Sequence, residues 1–334
     1  RKQLVTAPPS STDKRVIQPN TAGIDAAATA LSAGDLVAFP TETVYGLGAD
    51  ATNNTAVASI YSAKGRPTFN PLIVHVASIE AAAEHVKIDA RAQNICNLFC
   101  PGALTLVLPK RNNSPLSFLV SAGLDSVAIR IPAHPIAKAL LMACTLPIAA
   151  PSANTSGAVS PTTAPHVQNS WPDPTLVGPT LIIDGGGCVI GLESTVLDLT
   201  TQTATLLRPG GVSREDIEAA IGPIKIATND DTAPKSPGML SRHYAPNTPV
   251  RLNATTAYEN EIFLGFGQDG PESPYSLSPS ADLSEAAANL FATLRHLDEL
   301  KARTIAVAPI PHTGIGLAIN DRLTRAATPK KQIG

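Results

Sequence analysis
Apolar residues recur at helical spacing from Ile24 to Leu31, and Gly34-Asp35 then turns the chain into the unbroken apolar run Leu36–Phe39, which reads as a buried strand. The pattern continues with a helix over Ala56–Ala63, capped by Thr55, and a strand over Leu72–Val76. Helices are expected at Ile79–Val86 and Ala90–Phe99, then strands at Leu104–Leu108 and Val127–Ile131, the second cut off by Pro132. His134–Cys144 reads as a helix and Pro147–Ala150 as a short buried strand. Leu181–Ile183, Thr195–Leu199 and Ala204–Leu207 are three further strands joined by Gly and Asp turns. Ser213 opens a capped helix with Glu215 and Asp216 in its first turn, where carboxylates favour the helix dipole. Strands and helices in this irregular order predict an α/β fold with a twisted, mixed sheet rather than a strict βαβ repeat.

From Gly222 to Pro249 the periodicity stops, and five prolines with the polar run Thr228–Thr232 mark a linker. Periodic structure then resumes as strands Val250–Leu252 and Ile262–Phe266, helix Leu283–Lys301, strand Thr304–Ala308 and helix Ile315–Ala326. That alternation suggests a small parallel, Rossmann-like sheet. The expected units are therefore 20–221, a 222–249 linker, and 250–334. Gly265-Phe-Gly267-Gln-Asp-Gly270 matches the dinucleotide fingerprint and follows a strand. The proline-containing stretch Pro271–Pro279 cannot open a helix behind it, so no helix N-terminus waits there for a pyrophosphate.

Composition narrows the picture. Over 334 residues, 43% are hydrophobic and 16% charged, the balance of a globular protein. A net charge of −2 leaves no basic footprint for nucleic acid, so no tight direct nucleic-acid binding is expected. No apolar run nears the roughly 20 residues a membrane helix needs, so no membrane association is expected. Arg1 to Gln18 is polar with no apolar signal-peptide core, which favours a cytoplasmic location; its basic, hydroxyl-bearing character leaves organelle targeting open. Cys96 and Cys100 lie one helical turn apart with no second ligand pair nearby in sequence, so they and Cys144 and Cys188 read as free thiols rather than metal ligands.

The candidate chemistry begins in Phe39-Pro-Thr-Glu-Thr-Val-Tyr-Gly-Leu-Gly-Ala-Asp50 and Lys64-Gly-Arg66-Pro-Thr-Phe-Asn70-Pro-Leu-Ile-Val-His75. Hydroxyls, two cations, an amide and an imidazole gather there at strand ends, where open α/β sheets bind ligands. Lys64 and Arg66 around a glycine suit the charge of a triphosphate. Arg130 closes an apolar strand, where a cation is costly unless paired, so it either forks a ligand carboxylate or makes a structural salt bridge. Ser152 and Asn154 follow a buried strand, placed to bond phosphate oxygens or to cap the next turn.

These stretches resemble the Sua5/YrdC/YciO family. Ser126-Val-Ala-Ile-Arg130-Ile-Pro, Ala149-Ala-Pro-Ser152-Ala-Asn154-Thr-Ser-Gly157, Gly191-Leu-Glu-Ser194-Thr195-Val and Leu207-Arg208-Pro-Gly-Gly211 are similar to its motifs, in its order. Ser236-Pro-Gly-Met-Leu-Ser-Arg-His243-Tyr244-Ala-Pro246 resembles the linker of the two-domain Sua5 type, and Gly314-Ile-Gly-Leu-Ala-Ile-Asn-Asp-Arg322 its C-terminal signature. The likeness runs from about Ala22 to Ala327. It implies a YrdC-like α/β domain with a twisted mixed sheet and an open concave site, plus a small Rossmann-like C-terminal domain. It implies synthesis of threonylcarbamoyl-AMP from L-threonine, bicarbonate or CO2, and ATP, as the first step of N6-threonylcarbamoyladenosine formation at position 37 of tRNA. The product would pass to a downstream tRNA threonylcarbamoyl transferase. Mg2+ would accompany ATP through its phosphates, with no metal ligand from protein side chains.

Residue by residue, the resemblance assigns Lys64 and Arg66 to catalysis. Thr43, His75, Arg130, Ala150 and Ser194 are assigned to threonine. Arg66, Asn70, Ser126, Ser152, Asn154, Ser160, Arg208, His243 and Tyr244 are assigned to ATP. A competing reading is an RNA- or nucleotide-binding module without turnover. A related carbamoyltransferase component is disfavoured because zinc-finger cysteine pairs and an acylphosphatase-like region are not seen. Gln168–Pro179 departs from the family pattern, being longer and richer in proline, and is expected to form a surface excursion.

Overall fold
Asn20 caps the first helix, Thr21–Ser32, by accepting the Gly23 N–H, and the helix leads into the buried strand Val37–Phe39. In this computed structural model residues 13–227 and 243–329 are described. Residues 1–12, the polar run Thr228–Thr232 and the linker motif before His243 lie outside the described residues.

Among the described residues eleven strands form one mixed sheet. From edge to edge they are Val16–Ile17, Leu181–Ile183, Val37–Phe39, Gly46–Asp50, Ile148–Ala149, Ile73–His75, Ser126–Arg130, Leu104–Pro109, Thr195–Asp198, Thr205–Arg208 and Lys225–Ile226. Side chains alternate across it as a pleated strand requires. Ala38, Leu47 and Ala49 enter one core with Val57, Ile60 and Ile95, while Val37, Phe39 and Ile148 face Ile24, Leu31 and Leu140 on the other side. Helices Thr21–Ser32 and Pro135–Cys144 thus cover one face, and Asn54–Lys64 and Ala90–Phe99 the other. The sheet begins before residue 20 and continues beyond 221, because its edge strands Val16–Ile17 and Lys225–Ile226 find parallel partners there.

Four local outcomes differ from the sequence reading. Gly46–Asp50 is a central strand, antiparallel to both Val37–Phe39 and Ile148–Ala149, where the sequence pattern predicted no element. The glycines serve packing: a Cβ on Gly48 would lie 2.9 Å from both Ile148 Cγ2 and Phe39 Cε1. Gly48→Val should therefore destabilise the fold by at least about 1–3 kcal/mol through overpacking, read as a lower urea midpoint; an unchanged midpoint would show that the strand has slack.

The second helix spans Asn54–Lys64 and is capped by Asn53, not Thr55, because the Asn53 carboxamide oxygen accepts both the Thr55 and Ala56 N–H groups. It stops at Gly65, whose φ of 59° is left-handed, so the glycine between Lys64 and Arg66 is a helix terminator. Finally, Ala164–Ser170 is helical, and Trp171 is buried in the core with its carbonyl accepting from Arg15. The expected excursion is thus confined to the exposed residues 172–177.

The C-terminal part holds a parallel sheet in the order Val250–Arg251, Thr304–Val307, Glu261–Leu264, packed by helices Leu283–Glu299 and Gly316–Ala327. The glycine-rich stretch after Leu264 opens no helix before Leu283. Val44, Val159 and Leu192 of the first part share one apolar cluster with Phe291, Leu294 and Ile319 of the second. Arg295 reinforces this junction, donating to the carbonyls of Val159 and Ser160.

Candidate active site
Parallel pairing sets His75 beside Arg130 at the ends of their strands, and the chain before Gly46–Asp50 brings Thr41, Glu42 and Thr43 to the same place. Arg130 is buried. Its Nη1 donates to Thr43 Oγ1 at 2.8 Å, its Nη2 to Glu42 Oε1 at 2.5 Å and its Nε to the Gly102 carbonyl at 3.3 Å. Glu42 Oε2 in turn accepts the N–H groups of Ala133 and His134, each at 3.1 Å. Burial would raise the Glu42 pKa, but Arg130 outweighs it and holds the carboxyl below its ordinary value. The salt-bridge alternative is therefore real, yet the three bonds use three of the five N–H groups of a guanidinium. A second carboxylate can still be met.

Ser194 sits across the cavity, its hydroxyl 2.7 Å from Thr105 Oγ1 and 3.2 Å from Arg208 Nη2. Arg208 also clasps the Ser194 carbonyl through Nε and Nη2, at 3.1 and 2.8 Å. Arg66 reaches the cavity from beyond Gly65, anchored on the carbonyls of Asn70 and Pro71 at 3.2 and 2.8 Å. Burial pushes its pKa down to about 10, so it remains a cation.

Lys64 is also buried, but it does not line the cavity. Its Nζ donates to the carbonyls of Ser152 and Asn154, tying down the Pro-Ser-Ala-Asn loop. Burial, with Arg66 nearby, drives its pKa well below the usual lysine value. Two of the three donors of its ammonium are thus engaged in holding the loop that carries Ser152.

His243 and Tyr244 form a wall of the cavity with ring centroids 4.0 Å apart, and Tyr244 stacks on Phe291 at 5.6 Å. Tyr244 holds a left-handed φ of 59°, a strained conformation for an aromatic residue. The strain is sustained by its burial against Phe291 and Arg322.

Of the expected site residues, Thr43, Arg66, His75, Arg130, Ala150, Ser152, Ser194, Arg208, His243 and Tyr244 line one cavity of about 40 Å³. Lys64, Asn70, Ser126, Asn154 and Ser160 do not. Ser126 starts the strand that Arg130 ends, opposite Pro109. Ser160 donates its hydroxyl to Glu193. Asn154 bonds the carbonyls of Thr155 and Ala158 through its amide nitrogen.

Three charged residues at the site had no assigned role. Glu42 and Glu193 lie inside motifs already quoted, and Arg322 ends the C-terminal signature. Position in a motif was the available signal; nothing in the local pattern tells which partner each carboxylate takes.

Several polar atoms here are buried without partners: both side-chain polar atoms of Asn70, Asn154 Oδ1, His75 Nδ1, His243 Nδ1 and Tyr244 Oη. Folded proteins seldom leave so many unpaired groups in one region, and those of His75, His243 and Tyr244 belong to residues that line the cavity. His75 and His243 are neutral, since burial takes each pKa down to about 3. Stability contributed by these neutral rings is complete above about 6.5 and is lost as pH falls toward about 3, because the unfolded chain binds the extra protons first. The urea midpoint should fall over that window, and less steeply for His75→Gln or His243→Gln; an equal slope in both variants would assign the acid limb to other groups.

A forked guanidinium beside further arginines at the ends of α/β strands defines a ligand-binding α/β protein whose site suits anionic groups. The family comparisons agree with that class. Residues 29–210 match the Sua5/YciO/YrdC model, which bears the description Telomere recombination, and residues 212–328 match the threonylcarbamoyl-AMP synthase C-terminal domain. The chain belongs to the Sua5/YciO/YrdC family. It is 43% identical to the threonylcarbamoyl-AMP synthase of Bacillus subtilis, over 93% of this chain and 94% of that protein. It is 44% identical to the threonylcarbamoyl-AMP synthase of Pyrococcus abyssi, over 88% and 91% respectively. The crystal structure of P. abyssi Sua5 complexed with L-threonine superposes with a TM-score of 0.85 at 40% identity, covering 93% of this chain and 97% of that one.

Proposed function
We propose that this chain is a threonylcarbamoyl-AMP synthase, converting L-threonine, bicarbonate or CO2, and ATP to L-threonylcarbamoyladenylate and diphosphate. The observation that carries the reading is the Arg130–Thr43–Ser194 set beside Arg66 and Arg208 in one cavity, on a fold shared end to end with a threonine-bound relative. The neutral threonine amine adds to CO2 and releases one proton to solvent, giving a carbamate. A carbamate oxygen then attacks the α-phosphorus of ATP, and the bond to the β,γ-diphosphate breaks. Both partners are anions, so the chain's contribution is to hold them in line and to offset charge.

In this reading Arg130 forks the threonine carboxylate, with Thr43 and Ser194 on its polar groups and neutral His75 and Ala150 beside it. Arg66, Arg208 and Ser152 face the nucleotide. Asn70, Asn154, Ser126 and Ser160 stand behind them, and Lys64 secures the loop that carries Ser152. His243 and Tyr244 close over the nucleotide and exclude water from the mixed anhydride. A 40 Å³ cavity holds little more than water, so ATP entry requires this wall to move.

Mg2+ fits as a companion of ATP rather than a resident ion. Glu193 lines the cavity with both oxygens already engaged by Ser160 and Arg322, and among the described residues no three His, Cys, Asp or Glu side chains converge. Bound through phosphate oxygens and water, it would offset charge on the leaving diphosphate.

The domain reading is a catalytic lobe over 20–221 with added edge strands, a 222–249 linker whose end forms the cavity wall, and a 250–334 C-terminal domain. Delivery of the adenylate to a tRNA threonylcarbamoyl transferase, and cytoplasmic action, complete the proposal. Incubation with ATP, Mg2+, bicarbonate and L-threonine should yield a threonylcarbamoyl-AMP mass and diphosphate, both lost when threonine is omitted. ATP binding with no threonine-dependent product would favour a nucleotide-binding module instead.

A further inference from the structure
The C-terminal helix Gly316–Ala327 sends one cation to the back of the cavity. Arg322 is fully buried. Its Nε donates to Glu193 Oε2 at 2.8 Å and its Nη1 to Asp321 Oδ2 at 2.6 Å. The guanidinium lies 5.0 Å from the centroid of the Tyr244 ring, within cation–π range. Its Nη2 is buried with no hydrogen-bond partner among the described residues. Glu193 and Tyr244 line the cavity, whereas Arg322 stands behind them.

A buried carboxylate facing a site for a polyphosphate is an electrostatic liability. Burial alone would push the Glu193 pKa up, yet Arg322 and Arg208 outweigh it, so the group stays ionised. At hydrogen-bond range in a poorly hydrated pocket, an uncompensated anion would repel the incoming phosphates by an order of magnitude or more in affinity. Lys64 is committed to two loop carbonyls, and Arg208 clasps Ser194. Arg322 makes a direct ion pair with the Glu193 carboxylate.

We propose that Arg322 is a positioning residue for the nucleotide half of the site: it neutralises Glu193 and braces the Tyr244 ring, so the C-terminal helix completes the electrostatics of a pocket built by the other lobe. This rests on the nucleotide reading given above. It also gives the C-terminal domain a task in the chemistry that a tether would not have.

The test uses the full chain as Arg322→Gln, Glu193→Gln and the double variant. A non-hydrolysable ATP analogue and L-threonine are each titrated calorimetrically, and melting temperatures are recorded alongside. Arg322→Gln should weaken the analogue by roughly 10-fold or more while threonine affinity shifts by less than about 2-fold. The double variant should regain most of the loss, since the neutral carboxamide that replaces the Glu193 carboxylate no longer needs a counter-charge. Arg322→Lys keeps the charge without the fork and should bind the analogue within about 3-fold of the parent chain; it carries the test if the Gln variant does not fold. A lower melting temperature with unchanged analogue affinity, no recovery in the double variant, or a roughly 10-fold loss in a folded Lys variant would each overturn the proposal. The reaction is read separately as product mass from the unsubstituted chain. Intact analogue binding without product refutes the synthase reading and still leaves the affinity comparison to decide Arg322.

Discussion
Arg130→Ala is expected to weaken L-threonine binding by roughly 100-fold, because two charge-assisted hydrogen bonds at about 1.5 kcal/mol each amount to about 3 kcal/mol. ATP affinity should change far less, since in the proposed reading only threonine presents a carboxylate to this guanidinium. A second consequence follows from the observed pairing. Removing Arg130 strands the Glu42 carboxylate, whose side chain is only 12% exposed, against the backbone amides of Ala133 and His134. Breaking such a pair costs about 3–5 kcal/mol, so the variant should also be less stable. The double variant Glu42→Gln with Arg130→Gln removes both charges and should recover stability without recovering threonine affinity. Calorimetry on folded protein separates the two effects. Undiminished threonine binding in either variant would return Arg130 to a purely structural salt bridge.

The other large effects belong to Arg66 and Lys64, which should lose activity by different routes. Arg66→Ala and Lys64→Ala should each cut adenylate formation by at least about 10-fold, the scale on which charge-stabilising donors act in transition states. Arg66 lines the cavity, so its loss should raise the KM for ATP and lower turnover with a modest change in melting temperature. Lys64 holds the Ser152 and Asn154 carbonyls from behind, so Lys64→Ala takes a charge-assisted donor from both, the Ser152 carbonyl keeping only the Asn154 N–H, and should lower stability together with activity. Diphosphate release at saturating ATP, beside thermal melts, distinguishes the routes. If both variants turn over like the parent chain, the roles given to this loop are wrong.

Most elements were legible because their signals are local. The strand Leu104–Pro109, the helix Leu283–Glu299 capped by Asp282, and the Ser213-capped helix follow from side-chain period and end chemistry within a few residues. Gly46–Asp50 escaped because glycine weakens every strand signal, and its reason for being there is a neighbour about 100 residues away, Ile148. The Asn53 cap was missed by two positions, the ordinary consequence of having several capping residues in Thr52-Asn-Asn-Thr55.

The site divides in the same way. Local pattern put Arg130 at a strand end and Lys64 and Arg66 around a turn, and resemblance to a family supplied their roles. What a cation does there depends on its partners, and those are distant. Arg130 meets Glu42 across 88 residues, and Arg322 meets Glu193 across 129. Strand order decides the first. The turn holding Glu42 joins Val37–Phe39 to Gly46–Asp50, and the short strands Ile148–Ala149 and Ile73–His75 are what separate that hairpin from Ser126–Arg130. Packing of the C-terminal helix against the first lobe decides the second. By itself the sequence determined most of the elements, the family and the residues that gather at strand ends, because period, capping and motif act within a few residues. Only the tertiary structure decided that Lys64 holds a loop, that Glu193 lines the cavity while Glu42 pairs Arg130 beside it, and that Arg322 stands behind it, because each depends on long-range burial that makes an unpaired charge too costly to keep.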